Sequence, residues 1–85
     1  MPREVALYTR HECGLCEEAA EMLRSLAPSL DIAITERDID ADPALVQRFN
    51  DVIPVIAIGD RVVAQAPVDV DVLRKALIAA LAEST

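Results

Sequence analysis

Eighty-five residues carry fifteen acidic side chains against eight basic ones, a formal net charge of −7, with 53% hydrophobic and 27% charged residues. A chain this short supports one domain, 1–85, with a compact core and no large internal cavity, because folding buries only roughly 60–65% of its unfolded surface. The acidic balance, the single lysine (Lys75) and only two aromatic rings, Tyr8 and Phe49, exclude a nucleic-acid partner, which needs surplus cations and stacking platforms.

The N-terminus, Met1-Pro2-Arg3-Glu4, leads straight into a strand-like segment with no signal-peptide core. No apolar run approaches the roughly 18–20 residues of a membrane span, so a cytoplasmic protein with no membrane partner is expected. Glu4–Thr9 reads as a buried strand, followed by a loop, Arg10-His11-Glu12-Cys13-Gly14. From Leu15 onward, Ala19, Met22, Leu23 and Leu26 recur at helical spacing opposite Glu17, Glu18 and Glu21. Pro28 is expected to end that helix at Leu26 or Ala27, since the residue before proline avoids helical geometry.

Leu30, Ile32 and Ile34 alternate with Asp31, Ala33 and Thr35, the period of a second strand, which runs into an acidic stretch from Asp38 to Asp42. That cluster lacks the spacing and the glycine of a calcium loop, and helix capping with solubility accounts for it better. Asp42-Pro43 predicts a helix start, with Leu45, Val46 and Phe49 as its apolar stripe. Val55–Ile58 and Arg61–Gln65 form a hairpin through Gly59-Asp60. Asp69 caps a last helix carrying Val70, Leu73, Leu77, Ile78 and Leu81 on one side. The order is β-α-β-α-β-β-α, which requires a parallel pair from the crossover and an antiparallel pair from the hairpin. An α/β fold results, a four-stranded mixed sheet flanked by three helices.

Cys13 and Cys16 are the only cysteines. A bridge between them would close too short a loop to restrain the unfolded chain much, so the pair calls for a chemical explanation. Two thiols three positions apart at a helix start lie within disulfide reach. Unpaired N–H groups there stabilise a thiolate at Cys13, the nucleophile of thiol exchange, and Cys16 is placed to resolve the mixed disulfide. Gly14 leaves the first sulfur open to approach. A zinc site would need four ligands, and His11 and Glu12 lie too close in sequence to complete one easily. A metal or iron–sulfur cluster shared between two chains, and an inert pair, remain the competing readings.

The stretch Leu7 to Ala19, the Asp38-Ile39-Asp40 and Asp42-Pro43 segments, and Ile53-Pro54-Val55 together resemble glutaredoxins and short glutaredoxin-like bacterial proteins of the thioredoxin-like fold. The resemblance spans nearly the whole chain. It implies a cis Ile53–Pro54 bond beside the sulfurs and a substrate segment lying along Arg10, Gly14, Leu15 and Ile53. It also implies thiol–disulfide oxidoreductase activity with Cys13 as nucleophile, Cys16 as resolving thiol and Pro54 beside them.

Several positions depart from the family pattern. The Gly-Gly pair that serves glutathione is replaced by Ala64-Gln65-Ala66-Pro67-Val68-Asp69, with a carboxylate where glutathione would present its own. Glu12 stands where thioredoxins have Trp, and the first strand lacks their buried acid. Arg10 reads equally as a surface arginine in a loop and as a residue placed to stabilise the thiolate or to meet an acidic partner, while Glu12, Glu17 and Glu18 oppose the thiolate. The Cys13 pKa is therefore expected below that of an ordinary thiol, but by less than in strong oxidants of this fold. Tyr8 reads as core-lining. A monomer is expected, with no cofactor or metal, acting on a disulfide-bearing protein or small thiol and recharged by a reductase or small-thiol donor. The rival functions are an iron–sulfur or zinc carrier using the same cysteines and a non-catalytic interaction module.

Overall fold

Strand β1 (Arg3–Thr9) lies between two neighbours in the computed structural model, which describes residues 1–83. On one side it pairs in parallel with β2 (Ile32–Asp38), in register from Arg3 opposite Ile32 to Thr9 opposite Asp38. On the other it runs antiparallel to β3 (Val55–Ile58), with Tyr8 opposite Val55. The edge strand β4 (Arg61–Gln65) completes the order β2-β1-β3-β4. The three helices are α1 (Gly14–Leu30), α2 (Pro43–Phe49) and α3 (Val70–Glu83). This is the expected α/β architecture, with one addition: a 3-10 turn, Ile39–Ala41, occupies the acidic stretch.

Alternation along the strands divides the core in two. Val5, Leu7, Ile32 and Ile56 pack against Ala19, Ala20, Leu23 and Leu26 of α1 and Leu73 and Leu77 of α3. The opposite parity brings Tyr8 and Val55 against Ile39 and Phe49, with Leu45 and Val46 of α2 beside them. Tyr8 is half-buried, its ring centroid 4.7 Å from that of Phe49. In α3 only Leu73, Leu77 and Ala80 are buried. Val70 and Ile78, assigned to the same stripe by spacing, are exposed, because one sheet face admits a narrower stripe than the sequence offers.

The β3–β4 hairpin closes through Gly59 and Asp60 with positive φ at Gly59 (59°), the first central residue, as in a type II′ turn. A register shift between Ile56 and Ala57 leaves Val63 as the extra residue of a bulge in β4.

Pro28 does not end α1, contrary to expectation. The helix continues to Leu30, so Leu30 is its last residue rather than the first of a strand. The missing Pro28 N–H forfeits one bond to the Arg24 carbonyl, a loss confined to the exposed last turn. Continuing the helix packs Ala27 and Leu30 against the larger core. Ser29 Oγ donates to the Leu26 carbonyl at 3.1 Å, and the Asp31 N–H donates to the Ala27 carbonyl. Asp31 itself is left-handed (φ 53°), the geometry that usually selects glycine at this position, and its carbonyl accepts the Arg3 N–H at 3.1 Å.

Asp31→Gly removes the Cβ strain of that cap without touching either main-chain bond. The substitution should stabilise the fold by about 0.5–1 kcal/mol, read as a rise of roughly 2–8 °C in thermal midpoint. An unchanged or lower midpoint in a calorimetric scan would contradict this account of the helix end.

Candidate functional site

Cys13 ends the loop after β1 and serves as the N-cap of α1, with extended backbone (φ −111°, ψ 102°). Its Sγ accepts the Cys16 N–H at 3.2 Å, and its carbonyl accepts the Glu17 N–H at 3.1 Å. A sulfur thus occupies the position where Ser or Asp commonly satisfies a first-turn amide. The two cysteines are joined in a disulfide with Cα atoms 5.2 Å apart. They are unequal: Cys13 is half-buried, whereas Cys16 is 2% exposed and packed into the first turn. Around the outer sulfur, a Cβ at Gly14 would meet no atom within 4 Å. Leu15, expected on the core-facing stripe, is instead 57% exposed close to Cys13, where the substrate segment is also expected.

The loop before Cys13 is held by charge. Arg10 makes a two-pronged bond to Asp40, Nε lying 3.0 Å from Oδ2 and the terminal amino group 2.9 Å from Oδ1. Asp40 sits in the 3-10 turn, whose own cap is the Asp38 carboxylate accepting the Asp40 N–H at 2.9 Å. His11 Nε2 lies 3.7 Å from the other Asp38 oxygen. In this geometry the Arg10 guanidinium is committed within the chain to Asp40. Asp42 caps α2 by accepting the Ala44 N–H at 2.9 Å, so the acidic stretch does act through capping.

Pro54 is fully buried and follows a cis peptide bond from Ile53; Ala66–Pro67 is also cis. Because Tyr8 pairs with Val55, Ile53 and Pro54 arrive at the end of β1 from which the cysteine loop departs. Ile53 is half-buried against the smaller core. On the α1–β2 side an open groove of about 360 Å³ is walled by Thr9, Cys13, Glu12, Glu17, Glu36 and Asp38, with Arg10 and His11 completing it. A second groove, about 320 Å³, shares Thr9, Glu17 and Glu36 and reaches Cys16. Glu36 was not singled out in the sequence. Its strand face is nevertheless readable, since residues 32, 34 and 36 share one side of β2; the pairing with buried Leu7 comes from the register of β1 and β2.

The glutaredoxin-like domain (DUF836) matches residues 4–78. The chain belongs to the glutaredoxin-like domain family. Protein Ne2328 from Nitrosomonas europaea, solved by NMR, is 31% identical with a TM-score of 0.73, over 86% of this chain and 88% of that one. A structural-genomics target protein from X. campestris, solved by X-ray diffraction, is 33% identical with a TM-score of 0.74, over 88% and 96%. Thioredoxin 1 from Thermosipho africanus shares the fold, with a TM-score of 0.68 at 16% identity over 95% and 97%. None of the curated proteins matches this chain.

Within this glutaredoxin-like frame, the α3 N-terminus is already occupied by the chain's own carboxylate: Asp69 Oδ2 accepts the Val72 N–H at 3.1 Å. Glu12 adopts a left-handed conformation (φ 56°), so the residue before the cysteine pair turns the chain and leaves its side chain exposed. Among the described residues no group of three or more His, Cys, Asp or Glu is placed to hold a metal ion. No helix of the described chain is long and apolar enough to cross a membrane.

The Arg10 hydrogen bonds, followed by its charge and that of His11, hold the Asp40 carboxyl below its ordinary value of 3.8, and the pair raises the Arg10 pKa. A carboxyl whose folded pKa is depressed stabilises the fold above its unfolded pKa, and that contribution is lost as pH falls through the folded value. NMR titration should place the Asp40 midpoint below 3.8, and Arg10→Gln should return it toward that value. An Asp40 midpoint unmoved by Arg10→Gln would show that the pair does not persist in solution.

Proposed function

We propose that this protein is a thiol–disulfide oxidoreductase working through the Cys13–Cys16 pair. The observation that carries the reading is the inequality of the two sulfurs: the partly accessible one accepts a helix amide, and the buried one lies a single turn inside. In the dithiol form that amide and the helix N-terminus favour negative charge on Cys13. The Cys13 thiolate attacks one sulfur of a substrate disulfide, forming a mixed disulfide and releasing the first substrate thiolate. Cys16, having lost its proton to solvent, then attacks the Cys13 sulfur, closes the internal disulfide and releases the second substrate thiolate. Two electrons leave the protein and two substrate sulfurs are reduced. The effective concentration of the neighbouring thiol makes the second step fast.

Half-buried Ile53, at the same end of the sheet, forms the proposed surface for the substrate segment together with exposed Gly14 and Leu15, and buried Pro54 fixes the course of the chain behind Ile53. Arg10 contributes by fixing the loop. The substrate is a disulfide-bearing protein or a low-molecular-weight disulfide, and a reductase or small thiol returns the two electrons. Asp69 at the α3 cap argues against glutathione as the habitual ligand, since a second carboxylate there would meet the first.

Equilibration across a series of glutathione redox buffers, followed by alkylation and mass spectrometry, tests the reading. Clean interconversion of dithiol and internal disulfide is expected. Cys16→Ser should trap a mixed disulfide on Cys13 and lower turnover by about a hundredfold or more, in keeping with loss of an intramolecular step. Two thiols that stay reduced throughout, or that become reactive only after a metal is stripped, would overturn the proposal.

A further inference from the structure

The groove beside Cys13 brings four carboxylates, Glu12, Glu17, Glu36 and Asp38, around one wall of the reactive pair. Of the two cationic-type side chains there, Arg10 spends its charge on Asp40, which lies outside the groove wall, and His11 faces Asp38. The adjoining groove toward Cys16 continues the same sign through Glu17, Glu21 and Glu36, with Arg24 as its single cation. The chain as a whole carries −7. A disulfide that docks against Cys13 therefore enters a concave, predominantly negative surface, where fields are focused and weakly screened over the few ångströms involved.

We infer that the preferred substrate is a disulfide in an extended protein segment with Lys or Arg flanking the cysteine. This rests on the oxidoreductase reading above and adds the charge class of its partner. The basic flank lies in the groove against Glu12, Glu17 and Glu36, while the exposed Leu15 gives the segment an apolar contact on the helix side of the sulfur. The same charges repel an anionic disulfide, and the α3 N-terminus offers it no compensating site because Asp69 fills it. The carboxylates thus act as specificity determinants rather than as reacting groups, through attraction that gathers the right partner and repulsion that rejects the wrong one.

The test uses the reduced protein and three disulfide-linked peptide dimers, Lys-Cys-Lys, Ser-Cys-Ser and Glu-Cys-Glu, followed by the rate at which the internal disulfide forms. At low salt the basic dimer should outrun the acidic one by at least about tenfold, and the ratio should fall toward parity at high salt. Since flanking charge also alters each peptide's own reactivity, the ratio is measured again in a Glu17→Gln/Glu36→Gln variant. It should shrink at least about threefold there, with circular dichroism verifying the fold. The salt response of the unsubstituted protein stands even if that variant fails to fold. Comparable rates for basic and acidic dimers, or a ratio indifferent to salt, would overturn the inference while leaving exchange intact. No reaction with any of the three would instead sink the oxidoreductase reading itself.

Discussion

The site depends on where β1 sits. Flanked by β2 and β3, with Val5 and Leu7 sealed on one face and Ala6 buried on the other, this strand has little freedom to shift. Its last residue, Thr9, is a fixed point, and the cysteine pair follows after a short loop. The other anchor is α1, whose Ala19, Ala20, Leu23 and Leu26 lock onto the same core. Between these anchors the loop needs only the Arg10–Asp40 pair and the left-handed Glu12 to deliver Cys13 to the helix start. An 85-residue chain can therefore bring the Cys13 sulfur to its surface without hollowing out its small core.

Charge is used in two distinct ways. Asp38, Asp42 and Asp69 each accept a main-chain N–H at the start of a helical segment, so their charges are absorbed by local structure. Glu12, Glu17 and Glu36 have no such duty and remain exposed around the groove. At Cys13 two influences then compete. The helix amide draws negative charge onto the sulfur, and the neighbouring carboxylates oppose it.

Much of this architecture was legible in the residues. Alternation and helical spacing gave every strand and helix in order, and Asp42-Pro43 and Gly59-Asp60 were read with the turn or cap they adopt. Errors arose where a local rule met a tertiary demand. Pro28 is a strong stop signal, yet burial of Ala27 and Leu30 carries the helix past it to an Asp that takes up the left-handed cap. Leu15, Val70 and Ile78 fit helical stripes on paper, but the sheet covers a narrower arc. The cysteine pair could be found from spacing alone. The partner of Arg10 could not, because Asp40 lies thirty residues away and meets it only once β1 and β2 pair in register.

One hydrogen bond carries a consequence for observing the chemistry. The Cys16 amide points at the Cys13 sulfur, so under the proposed exchange its strength as a donor contact follows the electron density there: greatest toward a thiolate, weaker toward a thiol or a disulfide. When that sulfur is drawn into an adduct with a partner, the first turn of α1 shares its cap with the reaction. The backbone at Cys16 is consequently a built-in spectroscopic gauge of the state of the Cys13 sulfur. Its NMR resonance and exchange rate would report oxidation state, occupancy and helix fraying at once, with no label placed near the site.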